Sequence, residues 1–187
     1  MKRVLLTCLS FAVLIFASGC TMMAPQYSAS IENVQKLKDK GIGNVKVSDF
    51  QLDEKSMPVN DFSLRGSSLK SPYDDSYAAY LAEAIKQELS LAGKLAPNSN
   101  TDISCLLIKN NIDASGFSTG TGDIEARFIV KRDGTQRYNE KIAAHTQWES
   151  SFVGAVALPR AQEEYPKLVQ KLLENLYADP KFIQALK

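Results

Sequence analysis

Apolar positions change their spacing several times along the chain, and each change marks an element. Ile31, Val34 and Leu37 recur at three-residue spacing between polar residues, which predicts a short amphipathic helix over residues 29–40, ended by Gly41. Val45 and Val47 share a face of a strand expected over residues 43–50. Residues 51–70 hold Pro58, Gly66 and a serine pair, with one strand expected over 59–64. Ser71-Pro72-Tyr73-Asp74 has the residue types of a helix start. The helix that follows carries Tyr77, Leu81, Ile85, Leu89 and Ala92 on one stripe and ends at Gly93.

Beyond residue 100 the period falls to two. Ile103, Cys105 and Leu107 face one way and Leu106 and Ile108 the other, so the strand over 102–112 is expected to be covered on both sides near its middle. Ile124, Ala126, Phe128 and Val130 alternate with Glu125, Arg127, Ile129 and Lys131. Asp133-Gly134 then supplies a two-residue hairpin turn, and residues 136–152 form the partner strand. Pro159 opens a last long helix with a stripe of Tyr165, Leu168, Val169, Leu172, Leu173 and Leu176. Asp179-Pro180 caps a closing turn that holds Phe182, Ile183 and Leu186.

These elements assemble into an α+β fold of a single domain, residues 29–187. Its sheet is mostly antiparallel with a late three-stranded meander, and helices with single apolar stripes cover one face. No internal repeat and no linker between two complete cores are evident.

The first twenty residues have a different character. Met1-Lys2-Arg3 is basic, residues 4–17 are apolar apart from Thr7 and Ser10, and small residues follow. That order is a secretory signal over residues 1–19, too short in its apolar part for a transmembrane helix. Ala17-Ser18-Gly19-Cys20 resembles the bacterial lipobox, which implies cleavage between Gly19 and Cys20 and acylation of Cys20. Several acyl chains anchor a protein stably where one does not. Thr21 stands where Asp retains such proteins in the inner membrane, so outer-membrane sorting is expected, with the domain in the periplasm. Residues 20–28, with Pro25, read as the lipidated cysteine and a short tether.

Composition adds exclusions. Of 187 residues 44% are hydrophobic and 23% charged, which is globular. The net charge of +1 falls by two when Lys2 and Arg3 leave with the signal, so nucleic acid has no electrostatic footprint to bind. Cys8 leaves with the signal and Cys20 carries lipid. Cys105 alone remains, in an apolar run, so no intramolecular disulfide forms and the thiol is expected in the core. One histidine and one buried cysteine do not make a metal site, and no cofactor is expected.

Candidate chemistry is sparse. His145 has Glu149, Ser150 and Ser151 nearby in sequence, but neighbours on an extended strand point apart and no Gly-x-Ser-x-Gly elbow is present. No enzyme is expected. Residues 115–122 hold three glycines and four hydroxyls, which reads as a flexible loop, in which Phe117 is a contact for a partner or a membrane surface. Trp148 and Phe152 are core anchors or the rim of a groove between the sheet and the last helix. Residues 65–73 read as a solvated connection that can order on a partner.

In element order and apolar pattern the chain resembles the YajG-type bacterial outer-membrane lipoproteins. The likeness runs from the helix at residues 77–92 through the strand at 103–112 and the hairpin at 124–148. It continues into Phe152-Val153-Gly154-Ala155, the last helix and Asp179-Pro180-Lys181-Phe182-Ile183. The architecture is also similar to accessory lipoproteins of the LptE and PqiC types. The resemblance supplies no catalytic residues; the anchor and the absence of a convergent catalytic set lead to the expectation of an accessory or scaffolding outer-membrane lipoprotein that docks an envelope partner. The alternative is a binding module for a lipid, glycan or peptidoglycan fragment, held in a cleft between sheet and helix.

Overall fold

A computed structural model describes residues 21–53, 55 and 62–187. The signal and the lipobox residues Gly19 and Cys20 lie outside the described residues, as do Val59, Asn60 and Asp61 of the strand expected over 59–64.

The described chain opens on β1 (Thr21–Met23) and α1 (Ile31–Asp39), whose first turn is capped by the Ser30 hydroxyl. β2 (Lys46–Leu52), β3 (Phe62–Leu64) and β4 (Ser67–Lys70) follow. α2 (Tyr77–Leu91) leads to the long strands β5 (Thr101–Asp113), β6 (Thr119–Arg132) and β7 (Thr135–Glu149). α3 (Gly154–Ala178) and α4 (Pro180–Ala185) close the chain.

The main sheet has the order β2-β5-β6-β7. β5, β6 and β7 form the expected meander, and Asp133 (φ 49°) and Gly134 (φ 75°) adopt the left-handed conformations that a type I′ turn needs. β2 joins β5 in parallel, with Val47 opposite Ile103, so α2 lies in a β-α-β crossover. A second sheet, β1-β4-β3, joins a β3–β4 hairpin to the amino-terminal strand, with Thr21 opposite Ser68.

All the long helices pack on one face of the main sheet. Ile103, Cys105, Leu107, Ile124, Ala126, Phe128 and Val130 meet Tyr77, Leu81, Ile85 and Leu89 of α2 and Leu168, Leu172 and Leu176 of α3 in one core. Burial raises the Cys105 thiol pKa well above its ordinary value, so it packs as a small hydrophobe. A bulge between Leu107 and Lys109 shifts the alternation, so that Asn110 and Ile112 join the buried set.

Several expectations need correcting. Residues 21–28 are no free tether: β1 is hydrogen-bonded into a sheet, Ala24 and Tyr27 are buried, and Ala24 N–H donates to the Lys70 carbonyl at 2.8 Å. Ile31 is 86% exposed, because α1 spans α2 and α3 and turns Asn33, Val34 and Leu37 inward instead. The α2 cap is Ser76, whose hydroxyl accepts from Ala79 N–H, and residues 71–75 form a turn in which Asp74 and Asp75 have positive φ. Leu106 and Ile108 are only partly buried, since among the described residues no helix covers that face of the sheet. The last helix begins at Gly154, so Pro159 lies inside it. Among the described residues no helix is long and apolar enough to cross a membrane.

Candidate functional site

Three connections meet at one end of the main sheet: the Arg65–Gly66 turn between β3 and β4, residues 114–118 between β5 and β6, and residues 150–153 before α3. Arg65 joins them. Its Nε donates to the Ala114 carbonyl at 2.7 Å and its Nη1 to the Phe152 carbonyl at 2.6 Å. Its Nη2 donates to the carbonyls of Gly116 and Ser151, both at 2.9 Å. A guanidinium is suited to this because its donors sit in a fixed planar fork. Ser150 N–H adds a 2.8 Å bond to the Ser118 carbonyl. Asp113 closes the base of the loop: the Ser115 hydroxyl and N–H hold its carboxyl pKa below the usual range, and the charge of Arg65 adds to this.

This frame holds Phe117 and Phe152 in a parallel stack, centroids 5.1 Å apart and planes 9° apart. The rings are 76% and 69% exposed. Val153 and Val156 extend the patch at 56% and 40% exposed. Residues 114–122 and 150–159 contain no charged side chain. An apolar tip held rigid by an arginine and left in solvent is unlike the scattered apolar residues of an ordinary surface.

Trp148, the third expected contact, does something else. Gly120 lies opposite it in the ladder, and a Cβ on Gly120 would fall 2.3 Å from the indole. Gly122 is opposite Thr146, and its Cβ would fall 3.0 Å from Leu168 of α3. Gly120 and Gly122 of the expected loop therefore belong to β6, where they admit the indole and α3 close to the backbone. The partly buried indole packs against the core, and its Nε1 has no hydrogen-bond partner. Residues 67–70, expected in a solvated connection, form β4, with Leu69 fully buried.

His145 stands on the exposed face, its Nδ1 3.1 Å from Asp123 Oδ1, and Lys109 Nζ lies 3.6 Å from Asp123 Oδ2. Lys171 and Asn175 of α3 help to line a shallow depression of about 320 Å³ there. Glu149 and Ser151 are outside that lining. Among the described residues no three His, Cys, Asp or Glu side chains gather as metal ligands do.

Glu88 of α2 is the buried group the expectations missed. Its Oε1 accepts from Tyr27 Oη at 2.6 Å, Ser30 N–H at 3.1 Å and Asn33 Nδ2 at 3.2 Å. Asn33 Nδ2 also donates to the Gln170 carbonyl of α3 at 3.0 Å. The Tyr177 hydroxyl approaches the same carboxyl, although Oε2 and Tyr177 Oη each lack a bond of normal geometry. Desolvation raises the Glu88 pKa against the lowering effect of these donors. Burial raises the pKa of Tyr27 and Tyr177 further above their ordinary value, and the Glu88 charge adds to it. The cluster fastens the amino-terminal segment to both long helices.

No protein-family model matches the chain, and no curated protein matches it. Among solved structures, a Xanthomonas campestris protein of the DUF330 family superposes with a TM-score of 0.56 at 10% identity. It covers 84% of this chain and 92% of its own. A Caulobacter crescentus protein superposes with a TM-score of 0.46 at 8% identity, over 82% of this chain and 96% of its own. A minor lipoprotein from Acinetobacter baumannii gives 0.38 at 11% identity, over 73% and 88%. The first likeness establishes a shared fold.

Proposed function

We propose that the protein is a lipid-anchored accessory protein of the bacterial envelope, held at the outer membrane through Cys20 and facing the periplasm. It docks another envelope protein and does not catalyse a reaction. The anchor rests on the lipobox, Ala17-Ser18-Gly19-Cys20. The docking role rests on one observation, the face of the main sheet on which no helix packs among the described residues. There Leu106, Ile108 and Ile129 are partly exposed at the centre. Around them stand the ion pairs Lys109–Asp123 and Lys141–Glu125, with Arg127 Nη1 bonded to Asn139 Oδ1 at 3.1 Å. An apolar centre with a polar rim is the anatomy of a protein interface. The ligand-binding alternative is not adopted, because the indole of Trp148 packs against the core instead of rimming an open cleft.

Two measurements test the reading. Metabolic acyl labelling with membrane fractionation should find wild type labelled in the outer membrane and Cys20→Ser unlabelled; an unlabelled, soluble wild type refutes the anchor. Photo-crosslinkers at Leu106 or Ile129 in cells should give a discrete adduct with one envelope protein. Crosslinkers that give no adduct there refute the docking role.

A further inference from the structure

Residues 21–36 follow α3 closely. The Gln162 amide donates to the Met23 carbonyl, the Gln170 amide to the Ser28 carbonyl at 2.8 Å, and Lys36 pairs with Glu174 at 3.1 Å. Going back along the chain therefore means going toward the start of α3, where Phe152, Val153 and Val156 are exposed. The small sheet gives the same direction independently. Thr21 pairs with Ser68, just past the Arg65–Gly66 turn, and Arg65 bonds the carbonyls of Gly116 and Phe152. Strand spacings place Thr21 within about 15 Å of Arg65. Cys20 is the next residue, one Cα step of about 3.8 Å further. Acyl chains on Cys20 would therefore hold Thr21, and with it the end of the domain that carries the Arg65 turn and the stacked phenylalanines, close to lipid.

We infer that the Phe117–Phe152 tip is a second, non-covalent membrane contact, which enters the interface of the bilayer that holds the Cys20 acyl chains. The inference rests on the lipid-anchor reading above. The occupant follows from where the chain leaves the domain and from the chemistry of the tip. Residues 114–122 and 150–159 are uncharged, so entering the interface desolvates no ionised side chain from these segments. Arg65 bonds four carbonyls of the tip loops, leaving fewer exposed backbone groups to desolvate. The contact is apolar, so it persists in high salt and on zwitterionic lipid.

The test uses the full acylated protein, extracted from membranes and reconstituted into vesicles of phosphatidylethanolamine and phosphatidylglycerol that contain a lipid nitroxide near the top of the acyl chain. Acylation blocks Cys20 and burial protects Cys105, so single exposed cysteines at Phe117→Cys, Phe152→Cys and Leu91→Cys accept an environment-sensitive fluorophore. Leu91 is a 61% exposed apolar control at the end of α2, near the opposite end of the sheet. The Phe117 and Phe152 probes should shift to the blue and lose most of their emission to the nitroxide, while the Leu91 probe keeps its own. A probe at Val156→Cys should be quenched in the wild-type background and released by Phe117→Ser with Phe152→Ser. Tip probes that remain as wet as the Leu91 probe overturn the inference and leave the anchor intact. Shielding seen in native membranes but not in pure lipid vesicles assigns the tip to a protein partner and also overturns it. A chain without acyl label overturns both readings.

Discussion

Glu88 offers a measurement with a worked sign. Its Oε1 accepts three donors, an arrangement an amide oxygen reproduces, so Glu88→Gln keeps the bonds from Tyr27, Ser30 and Asn33. Glu88→Ala removes all three. Asn33 keeps the Gln170 carbonyl, but Tyr27 Oη loses its acceptor in the interior and a cavity remains. At about 1 kcal/mol for each net bond, with the orphaned donor and cavity added, the loss is about 3–5 kcal/mol. For a domain of this size that is a fall in Tm of roughly 10 °C. The pH dependence separates charge from packing. The folded pKa of Glu88 is raised, chiefly by desolvation. The folded state therefore holds its proton over a window in which the unfolded chain, near pKa 4.3, has lost it. The associated stability is fully present below about pH 4 and is lost as pH rises through the folded value, at up to about 1.4 kcal/mol per pH unit. Glutamine has no such term. Urea denaturation of wild type and Glu88→Gln between pH 4 and 8 should therefore show wild type losing ground to Gln as pH rises. A difference that is flat with pH, or a Gln variant as unstable as Ala, refutes this account of the cluster.

Other expectations follow from single contacts. Gly120→Ala places a Cβ 2.3 Å from the Trp148 ring and should cost about 1–3 kcal/mol in chemical denaturation, with a shift of the tryptophan emission. Arg65→Ala should speed amide exchange in residues 114–118 and 150–153, and Arg65→Lys should not restore protection, since the three donors of an ammonium cannot meet four carbonyls. Ser76→Ala should cost about 1 kcal/mol and more than Ser71→Ala, because Ser76 and not Ser71 caps α2. Asp113 and Glu174 have lowered pKa values from hydrogen bonds to Ser115 and Lys171, so any stability they contribute is lost as pH falls, opposite to Glu88.

The stripes of α2 and α3 and the β6–β7 hairpin were legible because one side of each element is buried and periodicity reports burial. Three features were less so. The alternation through Ile124 continues back to Gly122 and Gly120, but glycine carries no hydropathy signal, so the start of β6 looked like loop. Glu88 lies three residues after Ile85 and seven after Leu81, inside the apolar stripe; a carboxylate at that register was the available sign of a buried polar cluster. Arg65 had no sign at all. Its acceptors are backbone carbonyls from two distant connections, and no residue type marks a carbonyl as an acceptor for a remote arginine. The parallel β1–β4 pairing is equally silent, since three residues are too few to show a period.

Taken together, the two proposed contacts fix an orientation. β5 runs from the Leu91 end of the molecule toward the Phe117 tip over 13 residues, about 40 Å at strand rise. With the tip in the bilayer, as proposed, the main sheet would stand off the membrane, and the face with Leu106 and Ile129 would look sideways from it. A partner docked there must itself lie within about 40 Å of the outer membrane. Crosslinks from Leu106 or Ile129 should therefore reach the membrane-proximal part of that partner. Extending the chain with a flexible insert between Cys20 and Thr21 should weaken the preference without unfolding the domain. An insert that leaves the crosslinking pattern unchanged would mean that the orientation does not depend on the short link between Cys20 and Thr21.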